Sequence, residues 1–160
     1  MGRNQRDEGE LILQIPAMTG RAGATASVGY VNTGVNTNLV TLAQSATADT
    51  WVIPITGLRE GQVITKIGIS GQAESAGNAF TVDYALRATT AAAGDCTDAA
   101  IQAGTQIGAS ADTELAHTTA VATPHQVIDG ESYYMLITCT TAVNTDIQLQ
   151  HVTIHFDEGA

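Results

Sequence analysis

The sequence predicts an all-β protein, a jelly-roll-like antiparallel β-sandwich with an extended N-terminal arm. Several segments alternate apolar and polar residues with a period of two, which is the spacing of a strand with one buried face. Gly, Asn and Asp recur between these segments, where turns are needed. Ala, Thr, Gly and Ser are abundant and aromatic residues make up only 4%. Such a chain is stabilised by many small contacts on pleated surfaces.

Residues 1–36 are predicted to form the arm, and residues 37–160 the sandwich. Within the arm, residues 11–15 have the composition of a short strand, and Pro16 ends it because proline cannot donate to a ladder. The rest of the arm offers little to bury. We expect its apolar residues to dock on the sandwich, on a neighbouring subunit or on a larger lattice. These predicted partner-binding residues are Leu11, Ile12, Leu13 and Ile15.

Two strands are predicted in the first part of the sandwich, at residues 37–42 and 51–56. The buried face of the second would carry Trp51, Ile53 and Ile55. Pro54 places this strand at a sheet edge or at a bulge, because proline lacks the N–H that a central strand needs. Turn residues at 57–61 then separate it from the next strand.

Two further strands are predicted at residues 62–71 and 80–88. In the first, alternation predicts one face made of Val63, Thr65, Ile67 and Ile69. In the second, it predicts an inward set made of Phe80, Val82, Tyr84, Leu86 and Ala88. A period of two held over this length is hard to obtain from a helix, so 80–88 is the clearest strand of the chain.

Residues 89–123 give mixed signals. Alanine-rich runs near 91–94 and 98–103 predict one or two helical turns, with Asp98 as a possible N-cap. Three glycines in this stretch exclude a long helix. Short strands are expected near 105–108 and 113–119.

The C-terminal part returns to strands. Residues 124–128 precede an Asp-Gly turn, residues 133–141 are apolar on both faces like a central strand, and residues 146–156 close the domain. In this last strand Ile147 and Leu149 share one parity, whereas the other parity holds Val152, Ile154 and Phe156. We therefore expect a β-bulge, or a crossing between sheets, near Gln150.

Charge narrows the possible partners. Six Lys and Arg oppose sixteen Asp and Glu, which gives a net charge of −10. Nucleic-acid binding needs clustered basic residues, and anionic membranes attract them, so neither partner is expected. The N-terminus lacks the apolar region of a signal peptide, and we expect synthesis in a cytoplasm.

The sequence predicts no catalytic, cofactor-binding or metal-binding residues, and hence no enzyme. Nucleophile, phosphate-loop and dinucleotide motifs do not occur. His151 and His155 have the spacing of a zincin pair but lie in strand sequence, where their rings would be about 13 Å apart. They are expected on a polar face, or at an oligomer axis. The carboxylates of the middle segment lack the spacing of a calcium loop: Asp95, Asp98, Asp112 and Glu114. We expect them on a solvated surface, with calcium binding as the alternative. Cys96 and Cys139 are expected as thiols.

The aromatic residues allow two interpretations. Trp51, Tyr84, Tyr133 and Tyr134 all lie in strand-like runs, and we expect them in the core. A row of exposed aromatic rings would instead favour carbohydrate binding. In that alternative Trp51 is the expected glycan contact.

Four stretches together resemble β-sandwich domains of tailed-phage virion proteins: 51–67, 80–88, 127–137 and 152–156. The first contains an Ile-Pro pair followed by Gly-Leu and a second glycine, and the third an Ile-Asp pair followed by Tyr-Tyr. The resemblance implies a head-decoration, head-fibre or tail-associated structural protein of the virion, commonly a homotrimer, with no catalytic residues.

Three hypotheses follow. The first is a virion structural protein that decorates or cements a capsid, self-associates as a trimer and binds the major capsid protein or other virion proteins through residues 1–36. The second is a carbohydrate-binding or host-receptor adhesion module. The third, a hydrolase, has no motif to support it.

Overall fold

A computed structural model describes residues 10–22, 28–30, 40–42, 49–75, 79–108, 113–141 and 145–159. These residues form eleven strands and one short 3-10 helix, Ala17–Thr19. The strands are β1 (Leu11–Pro16), β2 (Arg21–Ala22), β3 (Val28–Tyr30), β4 (Val40–Leu42), β5 (Asp49–Ile55), β6 (Val63–Ser75), β7 (Phe80–Ala92), β8 (Asp95–Gly108), β9 (Thr113–Gln126), β10 (Glu131–Thr141) and β11 (Thr145–Asp157). In the part of the chain so described, no helix has the length and apolar character needed to cross a bilayer.

The strands build two antiparallel sheets that face each other. Five strands of the six-stranded sheet have the order β3-β4-β11-β6-β9. The sixth strand, β1, pairs with residues 151–156 of β11, on the same edge of β11 that pairs with β4 through residues 147–149. The five-stranded sheet has the order β2-β5-β10-β7-β8. The predicted all-β sandwich of jelly-roll type is thereby confirmed.

The core lies between the sheets and is made mainly by alternating residues of β5, β6, β7, β10 and β11. In β7 the predicted inward set is confirmed, since Phe80, Val82, Tyr84, Leu86 and Ala88 are all buried. β10 lies between β5 and β7, as predicted for a central strand. The largest fully buried side chains are Trp51, Tyr84, Phe80, Ile53, Ile64, Ile67, Leu86, Leu115, Met135, Ile137 and Ile147.

β11 contains the predicted bulge. Its register with β6 shifts between Leu149 and His151, at Gln150. Ile147 and Leu149 are buried before this point, and Val152 and Ile154 after it. The additional residue turns the other parity inward, so both halves of the strand face the core.

The predicted face of β6 is wrong in its first half. Ile64 is fully buried, whereas Val63 and Thr65 are only half-buried. The register with β9 shifts between Ile64 and Lys66, so the inward parity changes at Thr65. Ile67 and Ile69 are buried as predicted. β6 therefore contains a bulge at Thr65, which the regular alternation of its sequence concealed.

The helical turns predicted after residue 90 are wrong. Residues 80–108 form one long hairpin, in which β7 and β8 pair from Phe80–Gly108 up to Ala92–Asp95. Gly94 takes a φ of 95° at the turn, a conformation that glycine adopts most easily. Strand pairing satisfies the backbone of this alanine-rich stretch. The short strands predicted near 105–108 and 113–119 are parts of β8 and β9.

The described part of the N-terminal segment lies along the sandwich. β1 pairs with β11, from Leu11–Phe156 to Pro16–His151, and β2 pairs with β5. The sequence left three docking surfaces possible for this segment: the sandwich, a neighbouring subunit or a larger lattice. In the structure, β1 and β2 dock on the sandwich. The predicted boundary between residues 36 and 37 lies outside the described residues. β2 and β3 were not predicted, because strands of two or three residues carry no period.

Candidate binding groove on the five-stranded sheet

The outward face of the five-stranded sheet carries a shallow depression of about 690 Å³. We call it the outer groove. It is lined by Thr19, Arg21, Val52, Pro54, Thr89, Asp98, Ser132, Tyr133, Tyr134 and Leu136. Thr19, in the 3-10 helix, is exposed. The other lining residues, except Tyr133, are half-buried or exposed because they lie on the outward side of their strands.

Strand register arranges the groove in two adjacent rows. In one row Arg21 lies opposite Val52, and Val52 opposite Leu136. In the next row Tyr134 lies between Pro54 and Arg87. From β2 to β7 the groove spans about 14 Å, which is three interstrand spacings. Its floor is apolar in the middle, with polar groups at both sides.

Arg87 and Asp98 fix the position of Tyr134. The Arg87 side chain donates to the Asp98 carboxylate from Nη2 at 2.8 Å and from Nε at 3.0 Å. Nε also lies 3.1 Å from the Tyr134 hydroxyl oxygen, which accepts its hydrogen bond. That hydroxyl donates in turn to Asp98 Oδ1 at 2.9 Å. The phenol ring is therefore held in one orientation before any ligand arrives, which lowers the entropy cost of binding.

The charges of this network stabilise one another. The hydrogen bond from Arg87 lowers the pKa of Asp98, and the same bond raises the pKa of Arg87. Burial, followed by the bond to Asp98, raises the pKa of Tyr134. Tyr134 thus stays neutral and Asp98 charged over the physiological range. The groove therefore has a phenol ring beside an ion pair. Both side chains of the pair are partly exposed, so they can also form hydrogen bonds to a ligand.

A second depression, of about 490 Å³, lies at one end of the sandwich between residues 54–60 and 127–133. The Tyr133 hydroxyl there accepts a hydrogen bond from the Ile128 N–H and donates to Glu131. His125 Nε2 lies 3.2 Å from Glu131 Oε2. Burial and the bond to Glu131 raise the pKa of Tyr133 to about 12. These groups already bond to each other across the turn between β9 and β10, which is a structural role.

The four predicted partner-binding residues differ in how much surface they offer. Leu11 and Ile12 are 40% and 54% exposed, Leu13 is half-buried against the core, and Ile15 is buried. The alternation of β1 explains the burial of Ile15. Only Leu11 and Ile12 therefore present a large apolar surface outward.

Trp51 does not meet the requirement for a glycan contact. It is 1% exposed, and its indole Nε1 donates to the Ala17 carbonyl at 2.8 Å. Both ring faces lie in the core, so neither can stack on a sugar in this structure. Tyr84 and Tyr133 are also buried, as predicted, whereas Tyr134 is half-buried on the outer face and corrects the prediction for that residue.

The remaining polar candidates are dispersed. His151 and His155 are half-buried rather than fully exposed, and burial lowers the pKa of His151. His117 Nδ1 lies 2.5 Å from the buried Tyr84 hydroxyl. Among the described residues, no group of three or more His, Cys, Asp or Glu side chains is placed to hold a metal ion. Cys96 is exposed on β8, and Cys139 is buried in β10.

Sequence reasoning missed the residues of the outer groove, although two signals were present. Tyr133 and Tyr134 are consecutive in a strand, so their side chains must point to opposite faces. Arg87 belongs to the polar parity of β7. Asp98, expected at a helix cap, is placed beside Arg87 by the hairpin.

No protein-family model and no curated protein matches this chain. Solved structures do match it. The CBM36-1 domain of a multidomain xylanase from the hindgut metagenome of Trinervitermes trinervoides is 14% identical, with a TM-score of 0.51 over 90% of this chain and 96% of that one. The xylan-binding module CBM15 is 18% identical, with a TM-score of 0.47 over 95% and 100%. The family 22 carbohydrate-binding module of Clostridium thermocellum Xyn10B is 10% identical, with a TM-score of 0.45 over 92% and 94%. The first of these likenesses shows a shared fold.

Proposed function

We propose that this protein is a non-catalytic binding module and that its outer groove binds a polysaccharide. The observation that carries the proposal is Tyr134, a half-buried phenol fixed by Arg87 and Asp98 beside an apolar floor. A pyranose ring has apolar C–H faces and hydroxyl groups around its edge. The groove matches both properties, with Val52, Pro54 and Leu136 for the faces and the surrounding polar groups for the hydroxyls.

The shape of the groove favours a polymer. It is an open depression across several strands, so a chain can enter and leave at its ends. One solved structure that shares this fold is the CBM36-1 domain of a multidomain xylanase, which makes xylan the first polysaccharide to test. This choice of ligand rests on an analogy of fold, whereas the choice of site rests on the residues of the groove.

Affinity electrophoresis in gels containing soluble xylan tests the proposal. Tyr134→Ala removes the central ring and should weaken binding roughly thirty-fold, the effect of losing a contact worth about 2 kcal/mol. Tyr134→Phe keeps the ring and should retain most of the affinity. Ile107→Ala is the matched control, because Ile107 is 74% exposed on β8 of the same sheet but outside the groove.

Two results would refute this function. One is undiminished retardation of a folded Tyr134→Ala variant. The other is the failure of the wild-type protein to bind any polysaccharide in a broad panel that includes xylan, cellulose and mannan.

A virion structural role is a second candidate, favoured by the exposed side chains of Leu11 and Ile12 on β1. In this proposal β1 forms the contact through which copies associate as a trimer, or bind a capsid lattice. Sedimentation velocity of the double variant Leu11→Asp/Ile12→Asp should then give a monomer where the wild type gives a trimer. Ile128→Asp, a change at another exposed apolar residue, should leave the trimer intact. A monomeric wild type would remove the support for self-association.

A further inference from the structure

Arg21 lies at the β2 side of the outer groove. It pairs with Val52 across the ladder, and its exposed side chain lines the depression. It is therefore separated from Tyr134 and Arg87 by the apolar floor of the groove. A ligand that lies on this floor has Arg21 at one side and the Arg87–Asp98 pair at the other.

Within the described part of the chain, no carboxylate forms an ion pair with Arg21. The described residues contain four lysines and arginines: Arg21, Arg59, Lys66 and Arg87. Lys66 pairs with Glu10 and Arg87 with Asp98. Arg21 and Arg59 have no ion-pair partner among the residues that the structure describes, and only Arg21 lines the groove. Since Arg87 and Asp98 cancel each other, the charged groups at the groove sum to one positive charge.

The net charge of −10 does not cancel this local effect. At physiological ionic strength the Debye length is about 8 Å, so distant carboxylates are largely screened. A guanidinium group presents a planar fork of N–H donors that matches the two oxygens of a carboxylate. A single arginine suits a polymer with scattered carboxylates. A densely sulfated polymer would need several cations.

We infer that the polysaccharide bound in the outer groove carries carboxylate groups, as uronic acid residues do, and that Arg21 binds one of them. This inference rests on the proposed function, because it concerns the same groove. It names the class of ligand that the groove selects, a sparsely charged acidic polysaccharide rather than a neutral one.

Isothermal titration with a matched pair of polymers tests the inference. One polymer is a xylan with uronic acid side groups, and the other is the same xylan after chemical reduction of its carboxyl groups. The wild-type chain should bind the acidic form about five-fold more tightly, as expected for a partly exposed ion pair. The preference should decrease as salt is added.

Two variants assign the preference to a residue. In Arg21→Gln the ratio of the two affinities should fall to about one. Arg59 also lacks an ion pair with any residue that the structure describes, and it lies outside the groove. Arg59→Gln should therefore retain the five-fold ratio. Equal affinities in the wild type, or an unchanged ratio in Arg21→Gln, would overturn the role of Arg21 while leaving polysaccharide binding in place. Absence of binding to both polymers and to the wider panel would overturn the proposed function and this inference together.

Discussion

Trp51 connects the N-terminal segment to the core. Its ring is enclosed between the sheets, and its N–H group donates to the carbonyl of Ala17, which is itself fully buried. Ile15, on the adjoining strand β1, belongs to the same core cluster. The hydrogen bond from Trp51 to Ala17 joins residues that are 34 positions apart in sequence. It also gives a partner to the indole N–H, which would otherwise be buried without one. Trp51 therefore contributes to stability, and the groove obtains its aromatic ring from Tyr134.

Trp51→Ala should lower the free energy of unfolding by about 3–5 kcal/mol, because it leaves a large cavity and removes a buried hydrogen bond to the Ala17 carbonyl. Urea denaturation followed by circular dichroism measures this loss. Trp51→Phe fills most of the cavity and should be milder. If Trp51→Ala were as stable as the wild type but no longer bound a polysaccharide, Trp51 would be a glycan contact and its assignment to the core would be wrong.

Glu10 gives the start of β1 a pH dependence. Its carboxylate lies 3.0 Å from Lys66 Nζ and 3.2 Å from His155 Nδ1. The hydrogen bond from Lys66, followed by the contact with His155, lowers the pKa of Glu10 from 4.5 to about 2. A carboxyl group with a lowered folded-state pKa stabilises the fold above its unfolded pKa and loses that contribution as the pH falls through its folded pKa.

The stability that Glu10 adds should therefore be complete above pH 4.5 and disappear between pH 4.5 and about 2. Comparison of thermal unfolding of the wild type and Glu10→Gln across this range measures the effect. The melting temperatures should differ at pH 6 and converge near pH 2. A difference that stays constant with pH would show that the charge of Glu10 is not involved.

At the scale of elements, β11 shows what sequence patterns reveal and what they conceal. Its bulge was predictable because apolar residues occupy both parities, with a clear change at Gln150. The bulge in β6 was not, because Val63 and Thr65 continue the alternation of Ile67 and Ile69. A β-branched residue such as Thr65 fits either face of a strand. Only the position of the neighbouring strand decides which residue turns inward.

Deletion of Gln150 tests the bulge of β11. Without this residue a regular strand must send either Ile147 and Leu149 or the later apolar set toward solvent. We expect the deletion to prevent stable folding or to lower the unfolding free energy by several kcal/mol, since each buried aliphatic side chain contributes about 1.5–3 kcal/mol. Gln150→Ala keeps the backbone and, because Gln150 is exposed, should cost less than 0.5 kcal/mol. A deletion variant as stable as Gln150→Ala would contradict the assigned register.

The β7–β8 hairpin shows why local composition was misleading. Alanine favours helices when a segment is isolated, and residues 91–100 are rich in it. In the folded chain β7 supplies a partner along its whole length, and Arg87 and Asp98 meet across the pair. Gly104 faces Tyr84 so closely that a Cβ would overlap the phenol ring. These contacts join residues from different parts of the chain, so the helix propensity of a single segment could not have predicted the hairpin.

At the scale of the whole molecule, the five-stranded sheet has its core residues and its candidate binding groove on opposite faces. The inward parity of the five-stranded sheet builds the core, and the outward parity of the same strands builds the groove. Neighbouring strands bring together residues that are far apart in sequence, such as Arg21, Arg87 and Tyr134. The sandwich class followed from alternation within strands. The groove did not, because the pairing order of the strands places its residues side by side.

The most direct test of the groove is nuclear magnetic resonance of the isotope-labelled chain titrated with a soluble xylan oligosaccharide that carries uronic acid groups. We expect the largest amide shift changes to cluster at residues of the groove and its supporting network: Arg21, Val52, Arg87, Asp98, Tyr134 and Leu136. Small changes are expected at Leu11, Ile12 and the turn at 127–131. Changes concentrated on β1 or on that turn, or none at saturating ligand, would contradict polysaccharide binding in the outer groove.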